Sequence, residues 1–306
     1  MTPAYIDTVR LLLAIAPVVF GSGRFAMKGG TALNLFVQDM PRLSVDIDVV
    51  YTNHTVHRDT ALQHIAAELG VVKQTLEQRG LRVRQPAQAG GDEVRLLISN
   101  GAVQVKVEVN FVFRGTVLPV QNSALVASAE NLFTTAVTVP VLATDELYGS
   151  KLVAAMDRQH PRDIFDVMLM REHYGWPDGL TDCFVAYLGG HNRPVHEVLF
   201  PKAKPMTAIF SNEFAGMTRG EVSLDALAQT QAQLIQELPR RLLQHHRQFL
   251  LSLVQCEPAW DLMPFAHLRD LPALKWKLLN LSKLKKTNPT RFAAQHDELA
   301  LRLAAM

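Results

Sequence analysis

The pattern of apolar and polar positions changes near the middle of the chain. The first half mixes helical and strand periods, whereas the second half follows a helical period almost throughout. A helix is predicted over residues 4–20, then a short strand at 25–28 and a short helix that the hydroxyl residue Thr31 opens. Further strands are predicted at 43–51, 81–85, 94–99 and 103–113, and a long helix at 57–79.

The clearest alternation of the chain spans residues 103–113. Because successive side chains of a strand point to opposite faces, Val107 and Val109 are expected to face the core. Lys106 and Glu108 then lie on the other face. One face of this strand therefore packs, and the other is available for chemistry.

Prolines divide the helical second half into segments. A domain boundary is predicted near residue 140, which separates residues 1–140 from residues 141–306. This order of elements predicts an α+β fold, with a mixed sheet in the first domain and mainly helices in the second. The prolines that mark the breaks are Pro161, Pro177, Pro194 and Pro258.

Composition narrows the class of protein. A chain of 306 residues, 48% of them hydrophobic, can bury a substantial core, and two domains are expected. A formal charge of +2 does not by itself indicate a nucleic-acid-binding or membrane-surface protein. Cys183 and Cys256 lie far apart, which argues against a disulfide framework or a structural zinc site and favours the cytoplasm. The apolar run at 11–20 is too short to span a bilayer and is interpreted as a buried helix.

Two aspartates stand two positions apart in the sequence Arg-Leu-Ser-Val-Asp-Ile-Asp at residues 42–48. A strand places the carboxylates of Asp46 and Asp48 on one face, with Ser44, and sends Ile47 into the core. Adjacent like charges repel, whereas a divalent cation stabilises both in the ionised form, and Mg²⁺ prefers such oxygen ligands. The alternative is an exposed polar face on an edge strand.

The segment Lys-Gly-Gly-Thr at residues 28–31 has the parts of a phosphate cradle. Gly29 and Gly30 allow close approach of the backbone to a ligand. Free amides at the start of the following helix, together with the charge of Lys28, bind phosphates in such sites. A glycine turn without any binding role is the alternative.

Glu108 supplies a third carboxylate on a second strand, whose polar face is expected beside Asp46 and Asp48. Three carboxylates would form a site for Mg²⁺ or Mn²⁺. Metal ions in such a site orient a triphosphate, neutralise its leaving group and activate an acceptor hydroxyl. The alternative for Glu108 is a solvated strand residue paired with its neighbour Lys106.

Together these motifs resemble the successive motifs of the DNA polymerase beta-like nucleotidyltransferases, and more narrowly those of the AbiEii/AbiGii toxin family. The resemblance covers about residues 25–170 and includes a lysine helix followed by an Arg-Asp-x-x-Asp helix. The segments that carry it are Lys-Gly-Gly-Thr-Ala-Leu from residue 28, Arg-x-Ser-x-Asp-x-Asp from 42, Val-Glu-Val-Asn-Phe from 107, residues 146–158 and residues 161–167.

The resemblance implies a polymerase-beta-like core and transfer of a nucleotide from an NTP. It implies that Lys151 contacts the triphosphate and that Asp163 or Asp166 completes the active-site cleft from the C-terminal domain. Alternatively, Asp163 favours a helix start and Asp166 pairs with Arg162 at i, i+4. The expected catalytic residues are Asp46, Asp48, Glu108, Lys151, Asp163 and Asp166. The expected nucleotide-binding residues are Lys28, Gly29, Gly30, Thr31, Arg42, Ser44, Lys151, Arg158 and Arg162. The expected metal ligands are Asp46, Asp48 and Glu108.

The activity implied by the resemblance is that of a cytoplasmic toxin, controlled by a cognate antitoxin, that transfers NMP to an RNA acceptor such as the tRNA 3′ end. Two basic clusters favour RNA, although each is also typical of a solvated helix face. A protein hydroxyl as acceptor is one alternative, and a nucleotide- or RNA-binding regulator without turnover is another. The first cluster comprises Arg240, Arg241, His245, His246 and Arg247, and the second comprises Lys275, Lys277, Lys283, Lys285, Lys286 and Arg291.

Overall fold

The computed structural model describes residues 3–86 and 93–306, which form two compact units. The first unit comprises Met1–Leu147 and Ala215–Glu221, and the second comprises Tyr148–Phe214 and Val222–Met306. The assignment of a catalytic core to residues 1–140 and of a helical domain to residues 141–306 stays a prediction.

A seven-stranded mixed sheet forms the centre of the first unit, with the strand order β3-β4-β5-β2-β1-β7-β6. Strand β2 pairs parallel to β5 and antiparallel to β1, and β1 pairs parallel to β7. The predicted α+β fold is confirmed. The strands are β1 Phe25–Lys28, β2 Asp46–Tyr51, β3 Arg82–Arg84, β4 Glu93–Ser99, β5 Gln104–Asn110, β6 Gln121–Ala124 and β7 Thr138–Val141.

Alternation in the two central strands divides the sheet into an apolar and a polar face. Ile47 and Val49 of β2 and Val107 and Val109 of β5 are fully buried. Helix α1, Pro3–Val19, contacts β2, β5 and β7, so the apolar run near the start of the chain is a buried helix as predicted. The opposite face carries the charged side chains of β2 and β5.

Several predicted bounds change where side chains or distant segments take up backbone hydrogen bonds. Strand β2 begins at Asp46, because the amide of Leu43 donates to the carbonyl of Met217 at 3.0 Å. Strand β5 ends at Asn110, whose Oδ1 accepts from the amides of Val112 and Phe113, both at 2.8 Å. The other helices of this unit are α2 Gly29–Ala32, continued by a π-helical turn at Leu33–Val37, α3 Arg58–Gln78 and α4 Ala127–Phe133.

The second unit is helical in the described residues, as the sequence predicts. Prolines begin α6, α12 and α13, where a missing amide proton does no harm. Among the described residues, no helix combines the length and the apolar character needed to cross a bilayer. Helix α5, Thr144–Arg158, continues into this unit from the first. The others are α6 Pro161–His173, α7 Asp178–Gly190, α8 Val195–Leu199, α9 Thr207–Glu213, α10 Leu224–Glu237, α11 Gln244–Val254, α12 Pro272–Thr287 and α13 Pro289–Ala304.

Lys277 lies on the packed side of α12, which corrects its assignment to a solvated basic cluster. Its residue is 5% exposed, and its Nζ donates to the carbonyl oxygens of His191 and Arg193 at 2.9 and 2.6 Å. Burial lowers the pKa of Lys277 to about 8, although the field of Glu197 acts in the opposite direction. A neutral amine still has two N–H donors for these two carbonyls.

Lys277 is expected to make the protein more stable as the pH rises from about 8 to 10.5. In this window the amine is neutral in the folded protein but protonated in the unfolded chain, which therefore binds more protons. At about 1.36 kcal/mol per pKa unit, the free energy of unfolding rises by roughly 3 kcal/mol across this window. Denaturant unfolding of the parent and of Lys277→Met across this range measures it as the difference between the two proteins. A difference that does not change with pH would contradict the assignment.

Candidate active site

One transverse row of charged residues crosses four strands of the sheet in the first unit. Lys28 of β1 pairs with Asp48 of β2, which pairs with Glu108 of β5, which pairs with Arg95 of β4. Directly paired residues project from the same face of a sheet. Two adjacent carboxylates are therefore flanked by a cation on each side.

A second row brings Asp46 of β2 opposite Lys106 of β5. The Lys106 Nζ lies 3.7 Å from Asp46 Oδ2 and 3.1 Å from Glu108 Oε2. Burial alone would lower the pKa of Lys106, but the hydrogen bond to Glu108 and the fields of Asp46, Glu108 and Asp48 outweigh it and raise the pKa. Lys106 thus places a positive charge between the carboxylates.

Glu108 has one oxygen suited to a cation. Its Oε1 is buried and lies 2.5 Å from Arg95 Nε, yet it accepts no hydrogen bond from the described residues, because the contact lacks hydrogen-bond geometry. This oxygen already faces a cation, and carboxylate oxygens are the ligand type that a hard divalent cation prefers. The chemistry of the donors therefore fits the predicted metal.

Gly29 and Gly30 leave room for the side chains beside them. Gly29 has a φ of +76°, and a Cβ there would lie 2.1 Å from the Asp48 carboxylate oxygen Oδ2. A Cβ on Gly30 would lie 2.8 Å from the Arg42 guanidinium and 3.1 Å from Ser44 Oγ. Both the backbone conformation and the close approach of Asp48 therefore require glycine at position 29.

Thr31 does not open the helix by capping it, which corrects the sequence interpretation. It lies within α2, is fully buried, and its hydroxyl bonds to the carbonyl oxygen of Asp46 and lies 2.9 Å from Ser44 Oγ. Arg42 is 2% exposed and donates to the carbonyl oxygen of Leu43 at 3.0 Å. These side chains hold the loop against β2, and their contact with a nucleotide stays a prediction.

In the second unit, Lys151 forms a buried ion cluster with both predicted aspartates. Its Nζ lies 2.9 Å from Asp163 Oδ1 and 3.0 Å from Asp166 Oδ2. Arg158 adds a second cation, at 2.8 Å from Asp163 Oδ2. The side chains of Lys151, Asp163 and Asp166 are 7%, 3% and 0% exposed. The structure therefore brings these four residues together, and their catalytic roles stay predictions.

Arg162 lies in the first turn of α6 but outside this cluster. It faces Glu213 at 3.9 Å, whereas Asp166 pairs with Lys151. The alternative interpretation predicts an i, i+4 ion pair between Arg162 and Asp166. In the structure Asp166 pairs instead with Lys151, so this ion pair joins helices α5 and α6. The contact of Arg162 with a nucleotide also stays a prediction.

A family model described as Nucleotidyl transferase AbiEii toxin, Type IV TA system, matches residues 10–278. The chain belongs to this AbiEii toxin family. Membership confirms the resemblance that the motifs indicate and establishes the chain as a toxin-type nucleotidyltransferase.

Among solved structures, this AbiEii chain is similar to MenT4, a nucleotidyltransferase toxin from Mycobacterium tuberculosis H37Rv. The TM-score is 0.57 at 16% identity, over 92% of this chain and 95% of that chain. At this identity the likeness shows the fold alone. The search of curated proteins gave no match.

The sequence of this AbiEii chain does not by itself identify the counter-ions Lys106 and Arg95 as site residues. Lys106 carries a usable signal, since it lies two positions before Glu108 on the same strand face. Arg95 carries none, because its place beside Glu108 depends on the register of β4 against β5. Both supply positive charge where the carboxylates meet.

A second group of metal-ligand types lies in the second unit. In the described residues 3–86 and 93–306, one group of three residues places a potential ligand atom from each residue within 4.8 Å of the other two, and it consists of Asp182, His245 and His246. The three carboxylates of the sheet lie farther apart than this. His246 Nδ1 accepts the amide proton of Leu243 at 3.2 Å, so Nε2 carries the ring proton and donates to Asp182 at 2.7 Å. This tautomer leaves Nε2 without a lone pair for a metal.

Proposed function

We propose that the protein transfers a nucleoside monophosphate from an NTP to an RNA acceptor, the 3′ end of a tRNA. The acceptor oxygen forms a bond to the α-phosphorus, loses its proton and displaces pyrophosphate. The toxin acts in the cytoplasm, with a cognate antitoxin as its partner. The observation that supports this most is the pairing of Asp48 with Glu108 in adjacent strands, directly above Gly29.

The proposed metal ligands are Asp46, Asp48 and Glu108, and the proposed metal is Mg²⁺ or Mn²⁺. When bound, the cation neutralises charge on the triphosphate and on its leaving group. Lys106 holds Asp46 and Glu108 close together against their mutual repulsion. Because Lys106 and Arg95 already face Glu108, this carboxylate must exchange part of these contacts for a metal.

The proposed phosphate contacts come from Lys28 and from the backbone around Gly29 and Gly30. Lys28 pairs directly with Asp48, so its ammonium and the carboxylates share one face of the sheet. Glycine at position 29 lets a ligand approach the backbone where a side chain would also collide with Asp48. A nucleotide bound here would lie beside the acidic pair.

The proposed RNA acceptor is supported by positive charge in the second unit. Lys283, Lys285, Lys286 and Arg291 are exposed, as are Arg240 and Arg241. Such charge attracts any polyanion through release of counterions, independently of base sequence. Lys277 and His246 are buried, so each basic cluster has one exposed residue fewer than the sequence suggests. Both clusters remain.

Incubation of the purified protein with each labelled NTP, Mg²⁺ and either total RNA or an RNA-free lysate tests the proposal. Label that enters RNase-sensitive material in the parent, but not in Asp48→Asn, is the expected result. Label in protease-sensitive material would replace RNA with a protein acceptor. No incorporation with any of the four NTPs would favour a regulator without turnover.

A further inference from the structure

Helix α12 presents an exposed face on which two apolar side chains are followed by two basic ones. Trp276 and Leu279 are 46% and 60% exposed, and Lys283 and Lys286 are exposed beside them. These residues stand at i, i+3, i+7 and i+10, which places them along one side of a helix. An exposed apolar patch that is rimmed by polar residues is typical of an interaction site.

Packing of the other side fixes the direction of this face. Ala273, Leu274, Lys277 and Leu281 are the buried residues of α12. Lys285 is exposed but stands away from Trp276 around the helix, and its Nζ lies 5.5 Å from the ring centroid of Phe292 in α13. Lys283 and Lys286 therefore lie on the same side of α12 as the apolar pair, and Lys285 lies on the other side.

The charge of this face is unopposed along the chain. No aspartate or glutamate occurs in the sequence between Leu271 and His296. Lys275 is paired with Asp270 at 3.0 Å, but Asp270 precedes the helix. A face with this composition fits a partner that carries regular negative charge and flat apolar groups.

We propose that the exposed face of α12 binds single-stranded RNA, with a base stacked on Trp276 and phosphates beside Lys283 and Lys286. This inference rests on the proposed RNA acceptor and names the surface that holds it outside the catalytic sheet. Stacking on an aromatic side chain tolerates any base, and lysines contact phosphates as point charges. Binding is therefore expected to be strong at low salt and weakly dependent on sequence.

Binding of a labelled single-stranded RNA of about twelve nucleotides tests the surface directly. In the Asp48→Asn background, in which transfer is expected to be at least about a thousandfold slower, Trp276→Ala is expected to weaken binding about tenfold. The double variant Lys283→Gln, Lys286→Gln should also weaken binding and flatten the slope of log affinity against log salt by roughly 1.4. Lys285→Gln removes one charge on the other side of α12 and should weaken binding less than Lys283→Gln alone, and all variants should unfold at the temperature of the parent.

Equal binding by all variants would overturn the surface while leaving the proposed transfer to RNA intact, since transfer is measured separately. The reverse failure, a loss of binding in these variants without any RNA labelling by the parent, would support the surface and contradict the proposed function. A poly-glutamate peptide of equal charge is expected to compete poorly, because it has no bases to stack. Competition equal to that of the RNA would assign the face to an acidic protein instead.

Discussion

Replacement of Asp48 with asparagine is expected to reduce nucleotide transfer by at least about a thousandfold and to leave the protein folded. Asparagine preserves the volume above Gly29 but removes the charge that a metal ligand supplies. Metal-ion stabilisation of the transition state amounts to several kcal/mol, and each 1.36 kcal/mol corresponds to about tenfold in rate. The loss is expected in kcat, measured by pyrophosphate release with saturating NTP and RNA.

The free energy of unfolding of this variant should change by no more than about 1 kcal/mol. Asp48 is half-buried and stands beside the like charge of Glu108, so loss of one carboxylate also relieves repulsion. Asp59→Asn makes the same chemical change at an exposed position in the first turn of α3, so it should leave kcat unaltered and lower the free energy of unfolding by less than about 1 kcal/mol. Parent-like transfer by Asp48→Asn would remove Asp48 from the site, and an unfolded variant would mark it as structural.

Local periodicity accounts for what the sequence predicts well. The alternation around Asp46 and Asp48 predicts which side chains enter the core, because a strand has a period of two whatever it pairs with. The same rule separates Val107 and Val109 from Glu108. The carboxylates of the candidate site were therefore accessible from the sequence, together with the fold class.

Contacts between distant segments account for what the sequence misses. Thr31 looks like a helix-opening residue, yet its hydroxyl bonds to the carbonyl of Asp46, fifteen positions later. Lys277 looks solvated among other lysines, and the packing of α12 buries it. Strands β6 and β7 carry weak signals, since β6 is largely exposed and β7 contains Pro140, which donates no ladder hydrogen bond.

The buried cluster around Lys151 gives the second large effect. Lys151→Met is expected to lower the free energy of unfolding by about 3–5 kcal/mol, because it removes the ammonium that lies between two buried carboxylates. Asp166 is affected most, since its side chain is 0% exposed and lies 3.0 Å from the lysine. Denaturant unfolding of parent and variant measures this loss. Lys151→Arg, which retains the charge, should lose less.

The double variant Lys151→Met, Asp166→Asn distinguishes two roles of Lys151, which are stabilisation of the fold and contact with a triphosphate. It removes one charge of each sign and leaves Arg158 paired with Asp163, so we expect it to recover at least about 2 kcal/mol of the lost stability. NTP affinity follows from the rise in unfolding temperature with added NTP. If Lys151 contacts the triphosphate, the double variant folds but binds NTP weakly, whereas Asp166→Asn alone keeps the lysine and binds NTP like the parent. Recovery of NTP affinity together with stability would show that the ammonium of Lys151 serves only the fold.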